Sequence, residues 1–362
     1  MSQDGSRPAK STGEGPDDPP SYQCLSQPAP RCRSGRRPPL ERDVRIGLLN
    51  NLRAGRNDAQ VGRLLRFLKR HPEVAHVETE SAGAVPEALA ELFSHEIDVL
   101  VVNGGDGTLQ HALTEILGSD EFRWQVPMIA PLKGGRTNMT AGDIGTHRDA
   151  TRGLANLINA AKSGQLEKRI EKRQVLRVQY GHQRDVLYGM FFGVGMIHRA
   201  IELTHRLFDR KGTHGAVGAT IVTANLIARA ALLKDRDGVL SPDKVQVLLD
   251  GELHGGEYSL MISSTLHRLF SGMRPFWGTG SPGVRFTSIR TGADQMWRAA
   301  PGILAGRPGK VVREQNGYLS RNAKQVELRL DCGFTVDGEL VGPEPGRIVT
   351  VTADDTVRFV RA

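Results

Sequence analysis

The sequence predicts an α/β N-terminal domain built on a parallel sheet, followed by a C-terminal, mainly β sandwich domain. Three observations support this. From Val44 to Leu132 short apolar runs alternate with stretches of helical periodicity, the pattern of a parallel sheet. Beyond about Ser163 the helical periodicity largely gives way to short strand-like runs punctuated by Gly, Pro and Asp. The chain, at 362 residues, also exceeds the usual size of one domain.

Residues 1–42 are rich in Pro, Ser, Gly and Arg and nearly devoid of aliphatic side chains. Such a leader cannot bury enough apolar surface to offset its ordering entropy, so it reads as disordered. Its Arg31, Arg33, Arg36 and Arg37 are candidates for contact with anionic lipid, against the simpler reading of a solvated tail. Order begins with a buried strand over Val44–Leu49 and the turn Asn50–Gly55. A helix follows, with Val61, Leu64, Leu65 and Leu68 at the i, i+3, i+4, i+7 spacing of one buried face. Val74–Glu78 reads as a strand, Val85–Phe93 as a helix and Asp98–Val102 as a short apolar strand. That strand runs into Asn103-Gly104-Gly105-Asp106-Gly107-Thr108 and a helix carrying Leu109, Ala112, Leu113, Ile116 and Leu117 on one stripe. Met128–Leu132 gives another strand before Lys133-Gly134-Gly135-Arg136-Thr137-Asn138, and a helix ends near Ser163. The first domain is set at 43–165 and the second at 166–362, its last strands returning to the domain interface.

In the second domain strands are expected over Val175–Tyr180, Val186–Phe192, Val245–Leu249, Tyr258–Ser263 and Val284–Ile289. More follow at Val326–Leu330, Phe334–Val336, Ile348–Val351 and Val357–Val360, and a helical stretch over about Met196–Leu233 interrupts the series. No internal repeat is present.

Composition narrows the function classes. A net charge of +8 favours anionic partners: nucleotides, phosphorylated products or acidic membrane surfaces. Aromatic residues make up only 5%, and no dense basic run is interleaved with them, so nucleic acid is not expected as a partner. Cys24, Cys32 and Cys332 have neither metal-like spacing nor an even count, which fits a reducing cytoplasm. The N-terminus lacks the apolar stretch of a secretory signal. No run of about 18 apolar residues is long enough to span a bilayer; Gly215–Leu233 comes nearest and is broken by Asn225 and Arg229.

The unit strand–Gly104-Gly105-Asp106-Gly107-Thr108–helix has a phosphate-binding logic. Its glycines let backbone N–H groups approach phosphate oxygens, and the helix N-terminus adds partial positive charge. Asp106 is then placed to hold magnesium, directly or through water, and Thr108 both to cap the helix and to donate to phosphate. The pattern is neither a Gly-x-Gly-x-x-Gly dinucleotide fingerprint nor a Walker loop. Parallel sheets bind ligands at the carboxyl ends of their strands, where both glycine-rich turns fall.

These residues resemble the signature of the diacylglycerol kinase catalytic-domain superfamily, which also holds sphingosine, ceramide and NAD kinases. Pro131–Asn138 is similar to that family's second nucleotide turn, and Val336-Asp337-Gly338-Glu339 to its late Asp-Gly-Glu element. The resemblance implies an α/β nucleotide domain, a β-sandwich and an active site in the cleft between them, with Mg2+ and ATP as cofactors. It implies that Asn50, Thr79, Gly104, Gly105, Asp106, Gly107, Thr108, Gly135, Thr137 and Asn138 surround ATP. Asp106 is then the metal ligand, and Asp106, Asp337 and Glu339 form the catalytic set, with Glu339 the general base on the acceptor hydroxyl. Residues 337 and 339 share a face only if the backbone stays extended; Gly338 allows a turn equally well. A second Asp250-Gly251-Glu252 sits between two strand-like runs and reads as a hairpin connection.

Departures from the family pattern are concrete. His111 stands where an acid is usual and is assigned no role. Arg136 occupies the place of Thr, which is shifted to Thr137, and Met139 replaces an Asp. Leu269–Ile289 lacks the aspartates of a structural magnesium site, so no second metal is expected there. The expected activity is phosphorylation of a hydroxyl on a diacylglycerol-like or sphingoid-like lipid, by a cytoplasmic protein with peripheral contact at the inner membrane face. Leu269, Phe270, Met273, Phe276 and Trp277 are either acyl-chain contacts or ordinary core. A homodimer is left open. The alternatives are an NAD kinase, disfavoured because no Asn-Glu dipeptide occurs, and a catalytically silent nucleotide- or lipid-binding regulator.

Overall fold

The computed structural model describes residues 43–53, 58–181, 185–211, 238, 241–280 and 283–362, with 58–59 and 204–211 described by backbone only. The leader with its arginines, part of the 50–55 turn and the helical stretch beyond 211 lie outside the described residues.

The first sheet has the order β2-β1-β3-β4-β17-β5. Strands β1 (Ile46–Asn51), β2 (Ala75–Thr79), β3 (Val99–Gly104) and β4 (Met128–Lys133) run parallel. Their side chains alternate between two cores. Leu49, Leu100, Val102 and Ile129 face one, shared with α2 (Val85–Ser94) and α3 (Asp106–Gly118). Leu48, Val99, Val101, Met128 and Ala130 face the other, against α1 (Asp58–Leu68) and α5 (Ala150–Lys162). A short helix, α4 (Met139–Ile144), follows the second glycine-rich turn. The expected α/β layer is therefore present, each element within a few residues of its expected range.

Two strands from far along the chain complete this sheet. β17 (Thr356–Val360) joins β4 in parallel, and β5 (Ile170–Gln174) pairs antiparallel with β17 at the edge. The sequence gives no hint of β5. Its Ile-Glu-Lys-Arg-Gln is charged because it is an edge strand with only Arg173 buried.

The second sheet has the order β15-β14-β8-β10-β9-β13-β16-β6-β7 and is mainly antiparallel, the expected β-rich second half. β6 (Leu176–Tyr180), β9 (Asp243–Leu249), β13 (Gln325–Leu330) and β16 (Arg347–Thr352) match expected runs. The run 186–192 is two strands, β7 (Val186–Gly189) and β8 (Phe191–Gly195), separated at Met190. β10 (Glu252–Ser264) pairs with β9 through its first half and lies between β8 and β11 (Val284–Arg290) through its second. β12 (Tyr318–Ala323) pairs with β11, and β14 (Phe334–Val336) and β15 (Glu339–Val341) form a hairpin on β8. The helix α6 (Met196–Lys211) opens the interrupting stretch directly after β8.

One apolar core runs through both halves. Leu109, Leu113 and Ile116 of α3 share it with Tyr188, Phe191, Ile262, Leu266 and Leu269. Thr114 reinforces the junction, its hydroxyl accepting from Tyr188 N at 2.9 Å. Leu269 belongs to this core, with Phe270, Met273 and Phe276 packed against it, so the apolar set of 269–277 is mainly packing. Among the described residues no helix is long and apolar enough to cross a membrane.

Candidate functional site

The first glycine-rich turn sits at the end of β3. Every residue of that strand is buried, and α3 starts at Asp106 with Gly105 as its N-cap. Thr108 is therefore inside the first turn and does not cap the helix as expected. Its Oγ1 instead accepts from Asn51 Nδ2 at 2.8 Å. A Cβ on Gly104 would lie 2.6 Å from that same oxygen, so the close approach requires glycine.

The second turn packs on the first, backbone to backbone. A Cβ on Gly135 would fall 2.2 Å from Gly105 Cα, and one on Gly134 2.7 Å from both Asn103 Oδ1 and Gly104 N. Asn138, at φ 49°, closes the turn by accepting from Gly135 N at 2.8 Å and donating to Gly135 O at 2.7 Å. Gly135→Ala should lower stability by about 1–3 kcal/mol, because both partners are main chain and neither can swing away. Gly142→Ala, with open space around it in α4, is the control that should cost little. Urea unfolding of both variants checks this.

Asp106 is buried and its carboxylate joins the two turns. Its Oδ2 accepts from Met139 N at 2.9 Å and its Oδ1 from Thr140 N at 3.1 Å, the otherwise orphaned first amides of α4. Burial raises its pKa above the ordinary carboxylate value, and these amides oppose the rise.

Asp337 repeats the device. Val336 pairs with Glu339, and the two residues between them have φ 50° and 97°, so Asp337-Gly338 is a two-residue hairpin turn. The extended alternative does not occur, and residues 337 and 339 leave in different directions. The Asp337 carboxylate turns inward and accepts from Met190 N at 2.8 Å and Phe191 N at 2.9 Å, at the corner between β7 and β8. Burial, and after it the field of Asp106, push its pKa well above the ordinary value. A carboxyl raised in this way stabilises the fold fully below its unfolded pKa, and that contribution is lost as pH rises through the folded value. The stability of the wild-type protein relative to Asp337→Asn should therefore increase as pH falls from 7 toward about 4. Urea midpoints of both proteins across that range test the sign.

Glu339 points the other way, with its side chain 52% exposed. A Cβ on Gly107 would lie 2.5 Å from Glu339 Oε1, so this carboxylate stands over the N-terminus of α3. His111 Nε2 is 3.9 Å from the same oxygen. The sequence alone assigns His111 no role; the fold brings this histidine, in the second turn of α3, to the late Asp-Gly-Glu element.

The remaining candidates are less exposed. Asn50 is wholly buried and accepts from Asn103 Nδ2 at 2.8 Å, while Thr79 is buried at the end of β2. Asn50 Nδ2, Thr79 Oγ1 and Asn103 Oδ1 are all buried without a hydrogen-bond partner, an unusual concentration at adjacent strand ends. These residues lie beneath the turns and not in an open cleft. Thr137 and Asn138 line a cavity of about 670 Å³ with Lys133, Asp143, Arg148 and Phe270. The site thus gathers Gly104–Thr108, Gly135, Asn138, Asp337 and Glu339 directly and Asn50 and Thr79 from below. Arg136 is exposed.

Comparison with known proteins bears on the family and the fold. Residues 45–168 match the family model described as the diacylglycerol kinase catalytic domain. No curated protein matches the sequence. Among solved structures, one from Bacillus anthracis str. Sterne, provisionally named a diacylglycerol kinase, superimposes with a TM-score of 0.63 at 15% identity. It covers 89% of this chain and 97% of its own. Another from that organism, named a diacylglycerol kinase, gives 0.57 at 15% identity, covering 88% and 97%. At that identity the structures show a shared fold. The resemblance read from Gly104–Thr108 therefore holds: residues 45–168 match the model of the diacylglycerol kinase catalytic domain, and the chain shares the fold of those structures.

Proposed function

We propose that the chain is a magnesium- and ATP-dependent lipid kinase. It would transfer the γ-phosphoryl group to a hydroxyl of a diacylglycerol-like or sphingoid-like acceptor. The observation that carries this is the placement of Glu339 over the glycine turn and the N-terminus of α3. A phosphate-binding backbone and an exposed carboxylate from the other sheet meet at one point. Phosphoryl transfer requires that pairing: donors for phosphate oxygens and an acceptor for the hydroxyl proton.

In this reading the amides of Gly104–Thr108 hold phosphate, Thr137 and Lys133 border the nucleotide, and Glu339 takes the acceptor proton. Asp337 acts by fixing the hairpin that carries Glu339. Among the described residues no group of three or more His, Cys, Asp or Glu side chains is placed to hold a metal ion. Magnesium here would be held mainly by nucleotide phosphates and water, with Asp106, whose carboxylate also accepts the amides of Met139 and Thr140, as the protein carboxylate that would face it. Bound there, magnesium would neutralise phosphate charge. Cytoplasmic location with peripheral contact at the inner membrane face belongs to the same proposal.

The test incubates the purified protein with labelled ATP, magnesium and a panel of diacylglycerol, sphingoid base, ceramide and NAD. Label on a lipid is the expected result. Labelled NAD would instead make the chain an NAD kinase, and measurable ATP binding with no labelled product would make it a silent regulator.

A further inference from the structure

A second cavity, of about 530 Å³, opens beside Asp143 of α4. It is lined by Asp143, Glu171, Arg173, His267, Arg268, Arg274, Phe276 and Arg285, so four arginines converge there from β5, β11 and the connection between β10 and β11. We propose that this cavity is an anion site that takes a phosphate group. Nothing in the proposed phosphoryl transfer uses these arginines.

The charge balance is the first support. Both carboxylates in the cavity are already committed. Asp143 Oδ2 lies 3.2 Å from Arg173 Nη2, and its two oxygens also accept from His267 N and Arg268 N at 3.1 and 2.9 Å. Glu171 Oε1 lies 2.8 Å from Arg173 Nη2. Arg268, Arg274 and Arg285 have no carboxylate partner among the described residues, and four guanidinium groups against two carboxylates leave two positive charges uncompensated. That excess matches a phosphate dianion, and planar guanidinium forks suit its oxygens.

Burial is the second support. Arg173 is only 8% exposed, its Nε is buried without an acceptor, and its Nη1 lies 2.7 Å from His267 Nδ1. Arg285 donates to Leu266 O at 3.0 Å and is otherwise available to the cavity. Burial and then neighbouring arginines lower the pKa of His267, and burial also lowers that of Arg285 despite Asp143 nearby. Cations are crowded here beyond what their own carboxylates relieve. An ordinary solvated basic patch would hold its arginines apart in water, without a buried member on the floor.

Arg268 also lines the larger cavity beside the second glycine turn, whereas Arg274 and Arg285 line only the smaller one. Arg274→Ala and Arg285→Ala therefore report on this site alone. Calorimetric titration of the full chain with inorganic phosphate should show binding that each variant weakens by about tenfold or more. Thermal melts should show that Arg274→Ala, an exposed position, stays folded. If free phosphate does not bind, sedimentation with phosphatidylcholine vesicles containing phosphatidic acid should show retention that the variants lose, identifying a lipid phosphomonoester as the source. Vesicles of equal charge made with phosphatidylglycerol should retain the protein less well. Equal retention on both vesicles, binding unaffected by either variant, or no binding to phosphate in any form would overturn the proposal.

Discussion

Asp106→Asn is expected to lose turnover by roughly a hundredfold or more and to unfold at lower urea than the wild-type protein. The two losses have separate origins. Both Asp106 oxygens accept amides from the start of α4. An asparagine keeps one acceptor and turns an NH2 toward the other amide, leaving two donors face to face in a buried place. That should cost about 1–3 kcal/mol. Relief of a buried charge offsets part of it, because burial already disfavours the ionised carboxyl. The protein should therefore remain folded, with a cooperative but earlier transition. In the proposed reaction the kinetic loss is tied instead to charge beside the phosphates. Magnesium should tighten ATP binding to the wild-type protein and lose that effect in the variant. Full activity in Asp106→Asn would remove the metal role. Lost activity with an unchanged magnesium effect would leave Asp106 as a brace between the two turns.

The sequence made the phosphate turn legible because everything needed is contiguous: an apolar strand, three glycines with an aspartate, and an amphipathic helix. What Asp106 grips was not legible, since Met139 and Thr140 lie across a strand and a second turn. The same distance problem hid Arg173, whose partners Asp143 and His267 come from α4 and from the connection after β10. β5 was invisible for a different reason. An edge strand with one buried side chain needs no apolar alternation, and Ile-Glu-Lys-Arg-Gln has none. The 186–192 run looked continuous because its side chains are apolar throughout. It breaks at Met190 because the amides of 190 and 191 are taken by Asp337, which no local pattern could announce. Asp337-Gly338 itself was undecidable locally, since either a turn or an extended pair satisfies the tripeptide. The pairing of Val336 with Glu339 decides it.

That hairpin has a twin, and the pair yields the sharpest prediction. Asp250-Gly251 has φ 49° and 92° between paired Leu249 and Glu252, the same turn as Asp337-Gly338. Asp250 also grips two consecutive amides, those of Lys324 and Gln325, at 2.9 Å. In both tripeptides the Asp is thus a structural anchor. Only the glutamate differs. Glu252 is spent on a surface ion pair with Arg321, whereas Glu339 stands over Gly107 at the head of α3. Glu339→Gln should therefore reduce turnover by roughly a hundredfold to ten-thousandfold, with ATP affinity and urea midpoint close to those of the wild-type protein. The side chain is exposed, and the substitution removes its charge and proton-accepting capacity while keeping its size. Glu252→Gln should leave turnover unchanged and cost at most about 1 kcal/mol of stability, as expected for an exposed pair. Gly107→Ala should phenocopy the first variant, since its Cβ would displace the Glu339 carboxylate while the position stays helical. Equal activity in Glu339→Gln and Glu252→Gln would show that the late Asp-Gly-Glu element is a hairpin and nothing more.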